Sequence, residues 1–208
     1  MVGLSGDGGH RIGIFGGTFD PPHLGHLILA SEVRYQLKLD RLLWVLTPLP
    51  PHKPGQLITP LPVRLALVNA AISDSPEFEL STVEIDRPPP HYSVDTVRLL
   101  RQRYPNDHLV YLMGGDSLRE LPRWREPQAF LRELDGIGVM RRPEDEIDLD
   151  TLEMGLPGIV SSVQIVHAPL LDIASHNIRE RVQRGAPYRF YVHPAVYEII
   201  ERENLYRG

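Results

Sequence analysis

His23 and His26 stand three residues apart, preceded by Gly16-Gly17 and followed by the apolar run Leu27 to Ala30. On a helix that spacing puts both imidazoles on one face, where they could reach the same group. Ile12, Ile14 and Phe15 read as a short buried strand, Gly16-Gly17 as the turn leaving it, and the segment from Pro22 onward as a helix with proline in its first turn. Glycine lets backbone N–H groups approach a phosphate closely, and a helix start offers unpaired donors and the positive end of its dipole. The predicted chemistry is hydrogen-bond donation to an anion, with Gly25 leaving the surface between the histidines bare enough for a nucleoside. The glycine spacing is not G-x-G-x-x-G and no Gly-Lys-Ser/Thr follows, so neither common phosphate loop is present. An isolated H-x-x-H would more readily be half a zinc site or a solvated pair; the glycine turn upstream favours the nucleotide.

Other residues with chemistry fall after predicted strands. His52 and Lys53 lie in the proline-rich loop Pro48 to Gly55, where a lysine could neutralise phosphate or be an ordinary solvated side chain. Gly114-Gly115-Asp116-Ser117 forms a second expected glycine turn, and Arg141-Arg142 follow another strand, suited to a carboxylate or phosphate or simply solvated.

These residues need elements to position them. Arg41 to Thr47, His108 to Met113, Gly136 to Met140 and Val163 to His167 read as buried strands, and Phe78 to Ile85 alternates like a half-exposed edge strand. Helices are expected from Pro22 to about Leu37, from Leu61 to Ile72, after a Ser93 cap, closing over Phe130 to Leu134, from Ser175 to Gly185, and over His193 to Tyr206. The acidic run Glu144 to Asp150 reads as a solvated helix start. Strands alternating with helices predict an α/β fold: a Rossmann-like open parallel sheet flanked by helices, with ligands at the carboxyl ends of the strands.

The 208 residues fit one domain over 11–208, with a helical part from about residue 170, and 42% apolar residues suffice for a core. Net charge is −5 with Lys and Arg dispersed, which gives no footprint for a polynucleotide but allows a local mononucleotide pocket. The absence of cysteine removes thiolate nucleophiles, Cys-ligated zinc and disulfides. Met1 to His10 is glycine-rich, lacks a signal-peptide core and reads as a flexible tail; no stretch is apolar enough to span a membrane, and a cytoplasmic protein is expected. A homo-oligomer is compatible with the sequence.

The run Gly16 to His26, GGTFDPPHLGH, resembles the signature of the nucleotidylyltransferase superfamily, and Pro-Pro-His-Lys ending at Lys53 narrows the resemblance to the bacterial nicotinate-nucleotide adenylyltransferases. Three later segments are similar to that family's motifs: Tyr92-Ser93-Val-Asp-Thr96, Asp116-Ser-Leu followed by Trp124, and Ile173-Ala-Ser175-His-Asn-Ile178-Arg179. Serine at 93 stands where the family has threonine, and Ala174 and His176 each replace a hydroxyl residue.

The resemblance implies adenylyl transfer from ATP to nicotinate mononucleotide with Mg²⁺ on the phosphates and no protein metal ligand. It implies catalytic roles for His23, His26, Lys53 and Arg179. ATP would be held by Gly16, Gly17, Thr18, Phe19, His23, Gly25, His26, Gly115, Asp116, Ser175, Ile178 and Arg179, and the acceptor by Lys53, Tyr92, Ser93, Trp124, Arg125 and Arg142. Trp124 is either the ring that stacks on pyridine or a buried anchor. Two other activities fit the same residues: a transferase acting on the amidated mononucleotide or another phosphate, and a nucleotide sensor without turnover.

Overall fold

A computed structural model describes residues 9–49, 58–140, 148–169 and 171–207. Six strands, β1 (Arg11–Gly17), β2 (Arg41–Leu46), β3 (Phe78–Ser81), β4 (His108–Gly114), β5 (Gly136–Met140) and β6 (Val163–Val166), form one parallel sheet in the order β3-β2-β1-β4-β5-β6. The predicted Rossmann-like α/β architecture is the one found. Strand order reverses between β1 and β4, so the loops leaving their carboxyl ends diverge and open a crevice there.

The two faces of each strand separate cleanly, as a period of two requires. Phe15, Leu42, Trp44, Leu46, Val110 and Leu112 are buried on one face; Ile12, Ile14, Leu43, Val45, Leu109 and Met113 on the other. The first face is covered by α1 (Leu24–Gln36), α2 (Leu61–Ile72), α8 (Ser175–Gln183) and α9 (Pro194–Arg202), through Val33, Leu67, Ile178 and Ile200. The second is covered by α3 (Ser93–Arg103), α4 (Gly115–Glu120), α5 (Pro127–Arg132), α6 (Leu149–Gly155) and α7 (Ile159–Ser162), through Val97, Leu118, Phe130, Leu152 and Ile159.

Several boundaries differ from expectation. β1 continues through both glycines because Gly16 and Gly17 pair with Val45 and Leu46 of β2, so the turn begins at Thr18. α1 starts at Leu24 behind Pro21 and Pro22, which lie outside its first turn. β3 holds the expected edge but ends at Ser81, since the Thr82 carbonyl turns to accept from the Ile85 and Asp86 N–H groups. No glycine turn follows β4: α4 begins at Gly115 directly after Gly114. α5 spans Pro127–Arg132, and α9 ends at Arg202, short of Tyr206. Asp148 caps α6 by accepting from the Thr151 N–H at 3.0 Å. His10, at the end of the expected tail, is tied down, donating to Asp107 Oδ1 at 2.8 Å and accepting from the His108 N–H at 2.8 Å. The rest of the tail through Gly8, the loop with His52 and Lys53, Arg141-Arg142 and the start of the acidic run lie outside the described residues.

Candidate active site

The loop from Thr18 to Pro22, leaving β1 at the crevice, turns back into the protein. Phe19 adopts φ 48°, in the left-handed region, and is almost fully buried. Its ring lies so close over Gly17 that a Cβ there would meet it at 2.7 Å, which explains the glycine better than a phosphate contact does. Phe19 packs on Phe15 at 5.5 Å and Trp44 at 4.9 Å between centroids, so its side chain is part of the core and does not line an ATP surface.

His23 is the N-cap of α1 and His26 its third residue. Their rings stack with centroids 3.7 Å apart, so the expected pairing of the two imidazoles is present. Gly25 is partly exposed, and a Cβ there would stand 3.0 Å from His23 Nδ1, so the missing side chain also makes room for the His23 ring. The His23 backbone N–H donates to His26 Nδ1 at 3.2 Å. An acceptor Nδ1 in a neutral imidazole puts the proton on Nε2, so His26 is preset as a hydrogen-bond donor at Nε2. In the first α1 turn the His26 N–H donates to the His23 carbonyl at 2.9 Å, while the Leu24 and Gly25 N–H groups precede any carbonyl of their own helix that they could bind.

Burial sets the protonation of this pair. It lowers the His23 pKa to about 4, and it lowers that of His26 well below the usual value, with His23 adding to the effect. Both rings are neutral at pH 7 in the free protein. A histidine in the unfolded chain titrates near 6.5, so between that pH and about 4 the unfolded state binds more protons than the folded one. Stability therefore falls as pH drops through this window, by up to about 1.4 kcal/mol per pH unit for each such ring. In two-dimensional NMR the imidazole C–H signals of His23 and His26 should not titrate between pH 8 and 5.5. A midpoint near 6.5 for either ring would overturn this.

Residues that the sequence did not single out hold the loop in place together with Ser175 and Arg179. Arg64 of α2, only 2% exposed, donates from Nε to the Thr59 carbonyl at 2.9 Å, from Nη1 to those of Thr18 (3.1 Å) and Thr47 (2.9 Å), and from Nη2 to that of Pro48 at 2.7 Å. One guanidinium thus joins the segments after β1 and β2 to the one before α2. The Asp20 carboxylate accepts from the Thr59 N–H at 3.1 Å and the Tyr206 hydroxyl at 2.8 Å. From α8, Arg179 Nη1 donates to the Asp20 carbonyl at 2.6 Å and Ser175 Oγ to that of Pro21 at 2.8 Å. The sequence did carry a signal for Arg64: it lies three residues after Leu61 and four before Val68, on the helix's apolar stripe.

α8 begins beside α1, with the Ile173 carbonyl 3.8 Å from a Cβ built on Gly25, so two helix N-termini meet at the crevice. Ser175 and Arg179 are there as expected, each with one bond to the loop. Ile178 is not a ligand surface: its side chain is fully buried and its N–H donates to the Ala174 carbonyl. Ala174 is the α8 cap and makes no side-chain capping bond; His176 is exposed. Gly115 is buried in the first turn of α4, and the Asp116 carboxylate turns outward to pair with Arg119.

Across the sheet, the Tyr111 hydroxyl donates to Ser93 Oγ at 3.4 Å and would stand 3.4 Å from a Cβ on Gly16, which places the start of α3 at the same crevice. Burial pushes the Tyr111 hydroxyl up to about 12, so it remains protonated as a donor. Ser93 is the first helical residue rather than the cap, which is Tyr92. Trp124 is anchored edge-on against Tyr111 (6.4 Å) and Phe130 (5.6 Å) and only partly buried. Arg125 lies 5.0 Å over the Tyr92 ring, in a groove lined by Arg87, Pro88, Pro90, Tyr92, Asp95 and Arg125. Four expected acceptor residues, Tyr92, Ser93, Trp124 and Arg125, thus fall on this side; Lys53 and Arg142 lie outside the described residues.

A cytidylyltransferase-like family profile matches residues 14–181. The probable nicotinate-nucleotide adenylyltransferase of Thermomicrobium roseum is 46% identical over 197 residues, covering 95% of this chain and 92% of that one. The chain belongs to the nicotinate-nucleotide adenylyltransferase family. Another member, the nicotinate-nucleotide adenylyltransferase of Bacillus subtilis, is 38% identical over 198 residues, covering 95% of this chain and 99% of that one. The fold is also that of the Plasmodium falciparum nicotinic acid mononucleotide adenylyltransferase complexed with NaAD, at 19% identity and a TM-score of 0.74 over 95% of this chain and 97% of that one.

Enzymes of this nucleotidyltransferase family generally depend on a divalent metal, so the donor set matters. Among the described residues no group of three or more His, Cys, Asp or Glu could hold a metal ion. Asp20, the buried carboxylate nearest the histidines in sequence, has both oxygens engaged by Thr59 and Tyr206. The described residues thus offer no complete protein ligand set for such an ion.

Proposed function

We propose that the chain transfers the adenylyl group of ATP to nicotinate mononucleotide, giving nicotinate adenine dinucleotide and pyrophosphate, a step of NAD biosynthesis. The observation that carries this reading is the stacked and neutral His23–His26 pair, with His26 oriented to donate from Nε2, at the first of two helix starts that meet at the crevice. Relatives 36–46% identical over nearly the full chain bear the corresponding name.

A phosphate oxygen of the mononucleotide attacks the α-phosphorus of ATP, the new P–O bond forms as the bond to the β-phosphate oxygen breaks, and pyrophosphate leaves with the electron pair. The nucleophile is already ionised at neutral pH, so positioning and charge stabilisation suffice and no general base is needed. His26 Nε2–H and His23 donate to the phosphates as charge shifts toward the leaving group. The α1 and α8 starts add positive field, and Arg179 and Lys53 add fixed charge. Mg²⁺ would come with the triphosphate, and no step here is routed through it. The ligands are mononucleotide-sized, in keeping with the dispersed charge, and we place the reaction in the cytoplasm.

On the acceptor side, Trp124 stacks on the pyridine ring while donors at the α3 start, with Arg125 or Arg142, meet the carboxylate. A neutral amide leaves such groups unpaired, and discrimination of roughly 10²-fold or more is expected. Steady-state kinetics with nicotinate and nicotinamide mononucleotides at saturating Mg-ATP will therefore show higher kcat/KM for the acid. Equal values, or a preference for the amide, would overturn the acceptor while leaving adenylyl transfer in place. Absence of pyrophosphate release with either would overturn both and leave a nucleotide sensor.

A further inference from the structure

Beneath the start of α3 lies a buried polar relay with no part in the chemistry above. Thr96 is 1% exposed and Glu84 and His91 are each 6% exposed. Arg87 donates from Nη1 to the Pro90 carbonyl at 2.9 Å, and from Nη2 to the Tyr92 carbonyl and to Thr96 Oγ1, both at 3.0 Å. Thr96 Oγ1 stands 2.7 Å from Glu84 Oε1. A guanidinium only donates, so Arg87 donates to Thr96; the single Thr96 proton has the Glu84 carboxylate at 2.7 Å as its nearer acceptor and the Tyr92 carbonyl at 3.3 Å as the other.

Two features separate this relay from ordinary packing. Within it and beside it, Ser81 Oγ, Glu84 Oε2, Arg87 Nε and His91 Nδ1 are buried without a protein partner. Apolar side chains of the same size would hold the segment at lower cost, so a buried polar set calls for a role beyond stability. Its outputs are also specific. Arg87 binds the carbonyls of Pro90 and Tyr92, two residues that line the groove under Arg125, and Tyr92 is the cap of the helix whose Ser93 meets Tyr111 at the crevice.

We propose that Arg87, Thr96 and Glu84 act as positioning residues for the acceptor: they set the orientation of Tyr92 and Ser93 and thereby the affinity for the mononucleotide, without acting on ATP. This rests on the adenylyl-transfer reading and extends it to residues that touch neither substrate's reacting atoms. Substituting any member leaves the α1 histidines and the α8 start untouched, since those lie on the other side of the sheet.

The test is the ratio of the two KM values. Thr96→Val keeps the shape and removes the hydroxyl; it should raise KM for nicotinate mononucleotide about tenfold or more and leave KM for ATP within about twofold. Thr96→Ser restores the hydroxyl and should return the ratio to the parent value. Parallel rises in both KM values, a lower melting temperature with unchanged kinetics, or a serine variant no better than valine would each overturn the proposal. If Thr96→Val is insoluble, Glu84→Gln is read by the same ratio. If the parent proves to use a different phosphate acceptor, the functional reading fails alone, and the ratio measured with that acceptor still decides the relay. If the parent turns over no acceptor, calorimetric binding of nicotinate mononucleotide to parent and Thr96→Val replaces it. Tenfold weaker binding then supports the relay, and equal binding overturns it.

Discussion

Replacing His26 with alanine lowers kcat by roughly 10²-fold or more, the scale of losing one preorganised donor to a developing negative charge, with a smaller change in KM for ATP. Three observations set this size. The His23 N–H on Nδ1 fixes the tautomer, so the Nε2 donor needs no reorganisation when charge builds. Ring contacts to Phe15, Phe19 and Trp44 hold its orientation. Burial keeps the ring neutral, so its contribution is a directed hydrogen bond and not a titrating charge. Pyrophosphate release under saturating substrates reads kcat, and a thermal melt separates lost chemistry from lost packing. A folded variant with parental turnover removes His26 from the mechanism.

The second large effect is on stability. Arg64→Met keeps the bulk of the side chain and strips four backbone carbonyls, those of Thr18, Thr47, Pro48 and Thr59, of their donor. An unsatisfied buried acceptor costs roughly 1–3 kcal/mol, so the gross loss is on the order of 4–12 kcal/mol. Two effects offset it: a buried charge is removed, and loop carbonyls can find water. Burial already lowers the Arg64 pKa, against the raising influence of Asp20, which marks the desolvation cost that methionine relieves. We expect a net loss of about 3 kcal/mol or more, a large share of a domain's usual margin of ~5–15 kcal/mol. Urea unfolding should show a lower midpoint at unchanged slope. A loss below about 1 kcal/mol would mean that the carbonyls are satisfied some other way.

The sheet was legible because interior parallel strands are buried on both faces, and runs such as Leu42 to Leu46 announce that directly. The paired histidines were legible from their spacing. The end of β1 was not, since glycine's poor strand preference suggested a turn, and only pairing with Val45 and Leu46 overrides it. The motif residues divide by a criterion invisible in the chain. His23 and His26 meet at a helix start, whereas the side chains of Phe19 and Ile178 are buried in the core and the bare Cα of Gly25 makes room for the His23 ring. Asp20 and Tyr206 were missed because their contact spans most of the sequence, and no local pattern encodes it.

That last contact bears on the order in which the enzyme becomes competent. The histidines leave the ribosome well before the residues that secure their loop: the Asp20 carboxylate receives its Tyr206 partner 186 residues later, after the Pro21 and Asp20 carbonyls have met donors 154 and 159 residues downstream. A nascent chain that has already threaded its sheet has the Arg64 and Thr59 bonds to this loop but still lacks the three from Ser175, Arg179 and Tyr206. Activity should therefore arrive only once Tyr206 has emerged, so that translation products truncated before it carry the signature sequence without its working geometry.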